Sequence, residues 1–209
     1  MFNYPNGRRV KSTSTPPTAK QTKPIHYGSR GMSLEERLNQ SNAYYLQQQR
    51  AVIHKKPTPI QVVKVDYPRR SAAKITEAYY RHASTTDYNG IYRGYYLDFE
   101  AKETTNKTSF PLANLATHQI DHMAACHQHG GLVFLLISFQ VHQQVYLLPF
   151  PALASWLNES TKKSIPLSYI QAHGIVCQQG LFPYIDYLEA TDQLIDAQLN
   201  ERSDGDGNR

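Results

Sequence analysis

The stretch from Thr85 to Lys102 is rich in aromatics and β-formers and carries two turn signals, Asn89-Gly90 and Arg93-Gly94. The choice of turn decides what faces what. A turn at Asn89-Gly90 is the stronger local signal, but it pairs Asp87 with Tyr92 and strands Glu100 far up the partner strand. A turn at Arg93-Gly94 sets Asp87 opposite Glu100 and Thr85 opposite Lys102, and opposed residues share a face of the sheet. Strand alternation agrees, since Leu97, Phe99 and Ala101 point one way while Asp98, Glu100 and Lys102 point the other. This register yields one apolar face and one polar face bearing carboxylates, a hydroxyl and an amine. It is the register expected here.

Carboxylates that face each other repel unless a cation lies between them, and oxygen donors of this kind suit Mg²⁺. A lysine beside the ion can stabilise negative charge growing on a phosphate. Asp87, Glu100 and Lys102 therefore read as the catalytic core of a PD-(D/E)xK nuclease. Three common residue types at loose spacing also arise by chance in a sheet whose polar face is merely solvated.

With 209 residues the chain can form one domain with a full core plus extensions. Residues 1–31 carry six Lys or Arg and no acid, residues 50–82 carry eight basic residues against two acidic, and residues 186–209 carry seven acids and two bases. Two basic segments beside a near-neutral body point to an anionic partner, nucleic acid before membrane. The cysteines, Cys126 and Cys177, are too few for a disulfide framework. The N-terminus lacks the apolar core of a signal peptide, and the longest apolar run, Leu132 to Ile137, is too short for a bilayer. The expected location is the cytoplasm.

Along the chain, residues 1–28 read as a disordered basic tail. Ser33 and Glu36 form a capping box that starts a helix running to about Gln49, with Leu34, Leu38 and Tyr45 on its apolar stripe. Arg30, just before it, could reach a phosphate. Residues 51–68 read as extended and broken by Pro57 and Pro59, and residues 71–82 as a short helix or turn. The segment 55–82 is too polar for a core and is expected to project from the body. A helix over about 114–129 should turn Leu115, Ala116, Gln119, Ile120 and Met123 inward and stop at Gly130-Gly131. Gln119 on that stripe needs a partner, either the metal cluster or a buried hydrogen bond elsewhere. His118, His122 and Cys126 recur every four residues, but Gln119 stands where the metalloprotease glutamate would be. They are read as a partly solvated face. Leu132–Ser138 and Val145–Phe150 read as strands, Pro151 to about Glu159 and 184–199 as helices, and 200–209 as a disordered acidic tail. The fold class is α/β, with residues 29–199 as the main domain.

Six runs then carry a resemblance: Arg30-Gly31-Met32, His54 to Pro59, Thr85 to Gly90, Asp98 to Glu103, Lys107 to Leu112, and His118 to Met123. In this order they resemble the RecU family of Holliday junction resolvases, from about Tyr4 to about Leu188. The resemblance implies a restriction-endonuclease-like mixed sheet flanked by helices, with residues 55–82 as a projecting stalk. It implies a metal site of Thr85, Asp87, Glu100 and Gln119 holding Mg²⁺, with Mn²⁺ as a plausible substitute, and Lys102 in the transition-state-stabilising position. It implies a homodimer that nicks two strands of a four-way junction symmetrically and engages the RecA recombinase and the RuvAB branch-migration proteins. Arg30, Lys55, Lys56, Arg69 and Arg70 are the candidate DNA contacts. Two other readings compete: a duplex-cutting repair or restriction nuclease, and a non-catalytic DNA-binding modulator of recombination. The basic stalk weighs against the first and the intact Asp87, Glu100 and Lys102 set against the second.

Overall fold

The computed structural model describes residues 31–80 and 85–206. The expected tail at residues 1–28 and Arg30 lie outside the described residues. The first described element is helix α1 (Leu34–Gln47), where Ser33 Oγ accepts from Glu36 N and Glu36 Oε2 accepts from Ser33 N, closing the capping box read from sequence. Leu34, Leu38 and Tyr45 are buried as the stripe required.

Strand β1 (Ala51–Lys55) follows, then β2 (Ile60–Asp66), a 3-10 turn (Arg70–Ala72) and β3 (Lys74–Tyr80). Of the helix or turn expected over 71–82, the 3-10 turn ends at Ala72, and Lys74–Tyr80 is corrected to a strand. Thr76, Tyr79 and Tyr80 are β-formers, and β2 supplies the antiparallel partner that local propensity could not reveal. The β2–β3 ribbon forms its own two-stranded sheet, and every described side chain on β3 is exposed. A lone ribbon of this kind is marginal in water, so this segment projects from the body rather than building its core.

The hairpin comes next, as β4 (Tyr88–Tyr92) and β5 (Tyr95–Thr104). Tyr88 pairs with Phe99, Asn89 with Asp98 and Tyr92 with Tyr95, which is the register of an Arg93-Gly94 turn. Arg93 (φ 50°) and Gly94 (φ 82°) both adopt positive φ, as a two-residue type I′ turn demands. Gly90 lies inside β4 because β1 passes close by. A Cβ there would sit 2.2 Å from Val52 O and 2.6 Å from Ile53 Cα.

Strand β6 (Ser109–Pro111) leads into helix α2 (Thr117–Gln128), β7 (Leu132–Phe139), β8 (Gln144–Pro149) and α3 (Phe150–Glu159). Strand β9 (Ser164–Pro166), α4 (Leu167–His173), β10 (Ile175–Gln179), β11 (Ile185–Asp186) and α5 (Tyr187–Asp206) complete the chain. Helix α5 runs past Leu199, the end expected from sequence, through Asp206. Lengthening an existing helix needs no new nucleus.

The main sheet has the order β1-β4-β5-β7-β8-β10-β11. Strands β5 and β7 run parallel across α2, and the other neighbouring pairs are antiparallel. A helix, antiparallel strands, a crossover helix and a parallel strand make up the restriction-endonuclease-like arrangement expected from sequence. Strand β7 is buried on both sides: Leu132, Phe134 and Leu136 enter one core with α1 and α5, while Val133, Leu135 and Ile137 enter the other with α2, α3 and α4. Phe99 stacks between Tyr88 and Phe134 at centroid distances of 5.0 and 4.8 Å. Each such pair adds about 1 kcal/mol beyond its area burial. That stack fixes the apolar face of β5 and so aims its polar face at α2.

Candidate active site

On that polar face Asp98 and Glu100 are both fully buried, and Lys102 is partly exposed at the open end. Glu100 Oε2 accepts a hydrogen bond from Asp87 N at 3.1 Å, so the register expected across the hairpin continues one residue beyond the β4 ladder. Glu100 Oε1 lies 2.7 Å from Lys102 Nζ in an ion pair without a well-aligned hydrogen bond. Burial and the nearby Asp87 carboxyl push the Glu100 carboxyl up to about 7, with Lys102 opposing. A buried, partly repelled carboxylate is a donor that a hard divalent cation fits.

The cleft beside these groups is lined by Ser33, Leu34 and Glu35 from the start of α1, by Asp87 and Tyr88, by Ala101, Lys102 and Glu103, and by Asn114. Sequence reasoning missed Glu35 and Asn114, whose proximity depends on how α1 and the loop before α2 pack. Thr85 is half-buried and donates its hydroxyl proton to Thr86 O at 3.2 Å. Gln119 is buried, and its Oε1 accepts from Ala116 N at 3.1 Å, the N-cap of its own helix. Of the two partners left open for Gln119, the described structure gives the local hydrogen bond. Ala116, expected inward, is exposed as that N-cap residue.

The candidate DNA contacts fall in different settings. Arg69 is exposed at the end of the β2–β3 ribbon, and Arg70 opens the 3-10 turn with its side chain outside the described residues. Lys55 lies at the surface 2.5 Å from Glu35, a pair between exposed groups that costs little to break. Lys56 requires a correction. Its ammonium turns inward, with only 17% of the side chain exposed, to Asp98 Oδ2 at 2.8 Å and Thr86 Oγ1 at 2.9 Å. It is not a free phosphate contact, because a buried carboxylate already holds its charge.

The α2 face read as partly solvated is so, with His118 exposed and His122 and Cys126 half-buried, but His122 has partners that the sequence did not show. Its Nε2 lies 3.3 Å from Asp98 Oδ2 and 3.5 Å from Cys126 Sγ. Tyr96 donates to Asp98 Oδ2 at 2.9 Å, and Thr86 donates to Asp98 Oδ1. The available signal was strand alternation, which sets Asp98 on the buried face with Glu100 and so obliges it to find partners. No helix among the described residues is long and apolar enough to cross a membrane.

The family model described as Recombination protein U matches residues 29–193. The chain is 55% identical over 201 residues to the Holliday junction resolvase RecU of Latilactobacillus sakei, covering 93% of this chain and 96% of that protein. It is 53% identical over 198 residues to the Holliday junction resolvase RecU of Pediococcus pentosaceus, covering 93% and 98%. Against the Staphylococcus aureus protein of the same name it is 50% identical over 209 residues, covering 97% and 99%. A solved structure of the Archaeoglobus fulgidus Hjc Holliday junction resolvase superposes with a TM-score of 0.39 at 10% identity, over 66% of this chain and 94% of that one. On the matched model and these near-full-length relatives, the chain belongs to the Recombination protein U family.

Proposed function

We infer that this protein is a Holliday junction resolvase, a metal-dependent endonuclease that nicks four-way DNA junctions in recombination and repair, working in the cytoplasm. The reading rests on Asp87 and Lys102 lining one cleft, each in contact with the buried Glu100, in a chain whose relatives are named as junction resolvases. Asp87 and Glu100 would hold a divalent cation, Mg²⁺ or in its place Mn²⁺, with Thr85 and Gln119 as further oxygen donors. When bound, the cation polarises the scissile phosphate and lowers the pKa of a coordinated water.

The chain's own groups do the rest. Glu100, fully buried, has its Oε1 beside the Lys102 ammonium, and a bound cation would favour its ionised form further. Lys102, tethered 2.7 Å from Glu100 Oε1 and a quarter exposed, stands where an ammonium can offset charge developing on the phosphoryl oxygens. Water attacks phosphorus, one P–O ester bond breaks, and the departing oxygen takes up a proton. No covalent protein intermediate is required. For Gln119 to serve as a ligand, its amide must leave the Ala116 N–H or share the oxygen.

The exposed β2–β3 ribbon supports selectivity for a branched substrate. It carries Ile60, Val62, Val63, Tyr67, Ile75, Tyr79 and Tyr80 on its surface, with Arg69 near its end. Paired in a two-fold homodimer, two such ribbons would meet the open centre of a junction and direct two sites to symmetry-related strands. RecA and RuvAB are proposed partners on the family resemblance alone. The test is cleavage of a labelled four-way junction beside a duplex of equal length, with and without Mg²⁺. Paired nicks in the junction only, and only with metal, are expected. Equal cutting of the duplex would favour the repair or restriction nuclease instead.

A further inference from the structure

Two residues from Glu100, on the same face of β5, Asp98 is a second fully buried carboxylate that the proposed chemistry does not use. Asp98, His122 and Cys126 each offer one ligand atom, all within 4.8 Å of one another. An O, N and S set of this size invites a transition metal. The cation there, however, is already part of the chain. Lys56 Nζ lies 2.8 Å from Asp98 Oδ2, 2.9 Å from Thr86 Oγ1 and 3.4 Å from His122 Nε2. A divalent ion would face that ammonium at contact distance, and burial beside Asp98 raises the Cys126 thiol further from its ligating form.

Lys56 makes a second connection through its backbone. Its N–H donates to Asp87 O at 2.7 Å. One residue thus grips the main chain of Asp87 and, through its side chain, both the neighbouring Thr86 hydroxyl and the carboxylate that Thr86 also binds. Lys56 follows directly on the last residue of β1, where the chain leaves the sheet for the β2–β3 ribbon.

We propose that Lys56 is a positioning residue for the cleavage reaction: by neutralising buried Asp98 it holds the Thr86-Asp87 segment in the geometry that lets Asp87 act with Glu100. The function of its charge is to match Asp98, not to bind a phosphate. Loss of the ammonium leaves a buried carboxylate without countercharge, which a fold tolerates poorly. With both charges removed, the amide oxygen introduced by Asp98→Asn accepts from one of the Thr86 and Tyr96 hydroxyls and its NH₂ donates to the other, while an apolar side chain fills the place of the lysine stem. This inference rests on Asp87 being a site residue as proposed above.

The test is a charge-balance cycle of Lys56→Met, Asp98→Asn and the double variant in the full-length protein. Three quantities are read: melting temperature, junction affinity in Ca²⁺ and single-turnover cleavage in Mg²⁺. Lys56→Met should lower the melting temperature by roughly 10 °C and cleavage by about 100-fold. Its junction affinity should change less than about 3-fold, and it should need more Mg²⁺ for half-maximal rate, as a displaced ligand would. The double variant should recover most of both losses. A double variant that cleaves no faster than Lys56→Met overturns the proposal, because the ammonium would then act on DNA or on the reacting phosphate. A loss of junction affinity as large as the loss of cleavage does the same. If Lys56→Met alone fails to fold, a folded and active double variant supports charge matching, and an unfolded one contradicts it. Adding Co²⁺ to the wild type should produce no thiolate-to-metal absorption band; a band abolished by Cys126→Ser would replace the lysine account with a metal site. Asp87→Asn separates the two readings. If it cleaves normally, the proposed active site falls, while recovery of melting temperature in the cycle still judges the Lys56–Asp98 match.

Discussion

At the scale of the residue, Glu100 governs how stability responds to pH. Burial, with the nearby Asp87 carboxyl, raises its pKa to about 7 from an unfolded value near 4.5. Between these values the folded protein holds a proton that the unfolded chain has lost. Its stabilising contribution is therefore complete below the unfolded pKa and disappears as pH rises through about 7. Metal-free protein should lose on the order of 2 kcal/mol between pH 5 and pH 8 from this group, seen as a falling melting temperature. Glu100→Gln should flatten that fall, and Mg²⁺ should reverse it at high pH. A wild-type profile identical to that of the glutamine variant would detach the effect from Glu100. The pairing behind this behaviour was legible in the sequence, because strand alternation favoured the Arg93-Gly94 turn over the stronger local signal at Asn89-Gly90 and so set Asp87 against Glu100. Lys56 was not: its carboxylate partner is 42 positions away, and nothing local distinguishes an inward lysine from one facing DNA.

At the scale of the element, the hairpin turns at Arg93-Gly94 while Asn89-Gly90, the better local turn, is absorbed into β4. Tertiary contact explains the outcome, since β1 crosses so close to Gly90 that no side chain fits. Gly90→Ala must move backbone at Val52 and Ile53 and should destabilise the protein by about 3 kcal/mol, measured by chemical denaturation. A loss below about 0.5 kcal/mol, the ordinary range for surface changes, would contradict this packing. The long helices and the central strands were readable from caps and apolar runs. Strands β3, β9, β10 and β11 and helix α4 were not; β9 to β11 are short, and β3 shows no core-facing alternation because it has no core to face. The ribbon to which β3 belongs carries a further prediction. Arg69→Ala should weaken junction binding more than duplex binding, and lower the salt slope of junction binding by about 1 if it neutralises one phosphate. Equal losses on both substrates would make Arg69 a general phosphate contact.

At the scale of the whole molecule, the proposed function divides between one mixed sheet, whose strand β7 is buried on both faces and which would carry the chemistry, and the exposed ribbon, which would select the substrate. The two cores meet across β5 and β7, so Glu100, proposed to hold the cation, sits fully buried on a strand between them. Such a site is held by packing and changes little when one charge is removed at constant shape. The most direct test is therefore Glu100→Gln, with junction binding measured by gel shift in Ca²⁺ and cleavage of the same four-way junction measured in Mg²⁺. Binding within about 3-fold of wild type and cleavage reduced by at least about 1,000-fold are expected for loss of a metal-holding carboxylate. Cleavage within a few-fold of wild type would remove Glu100 from the site and with it the account of how this fold cuts DNA.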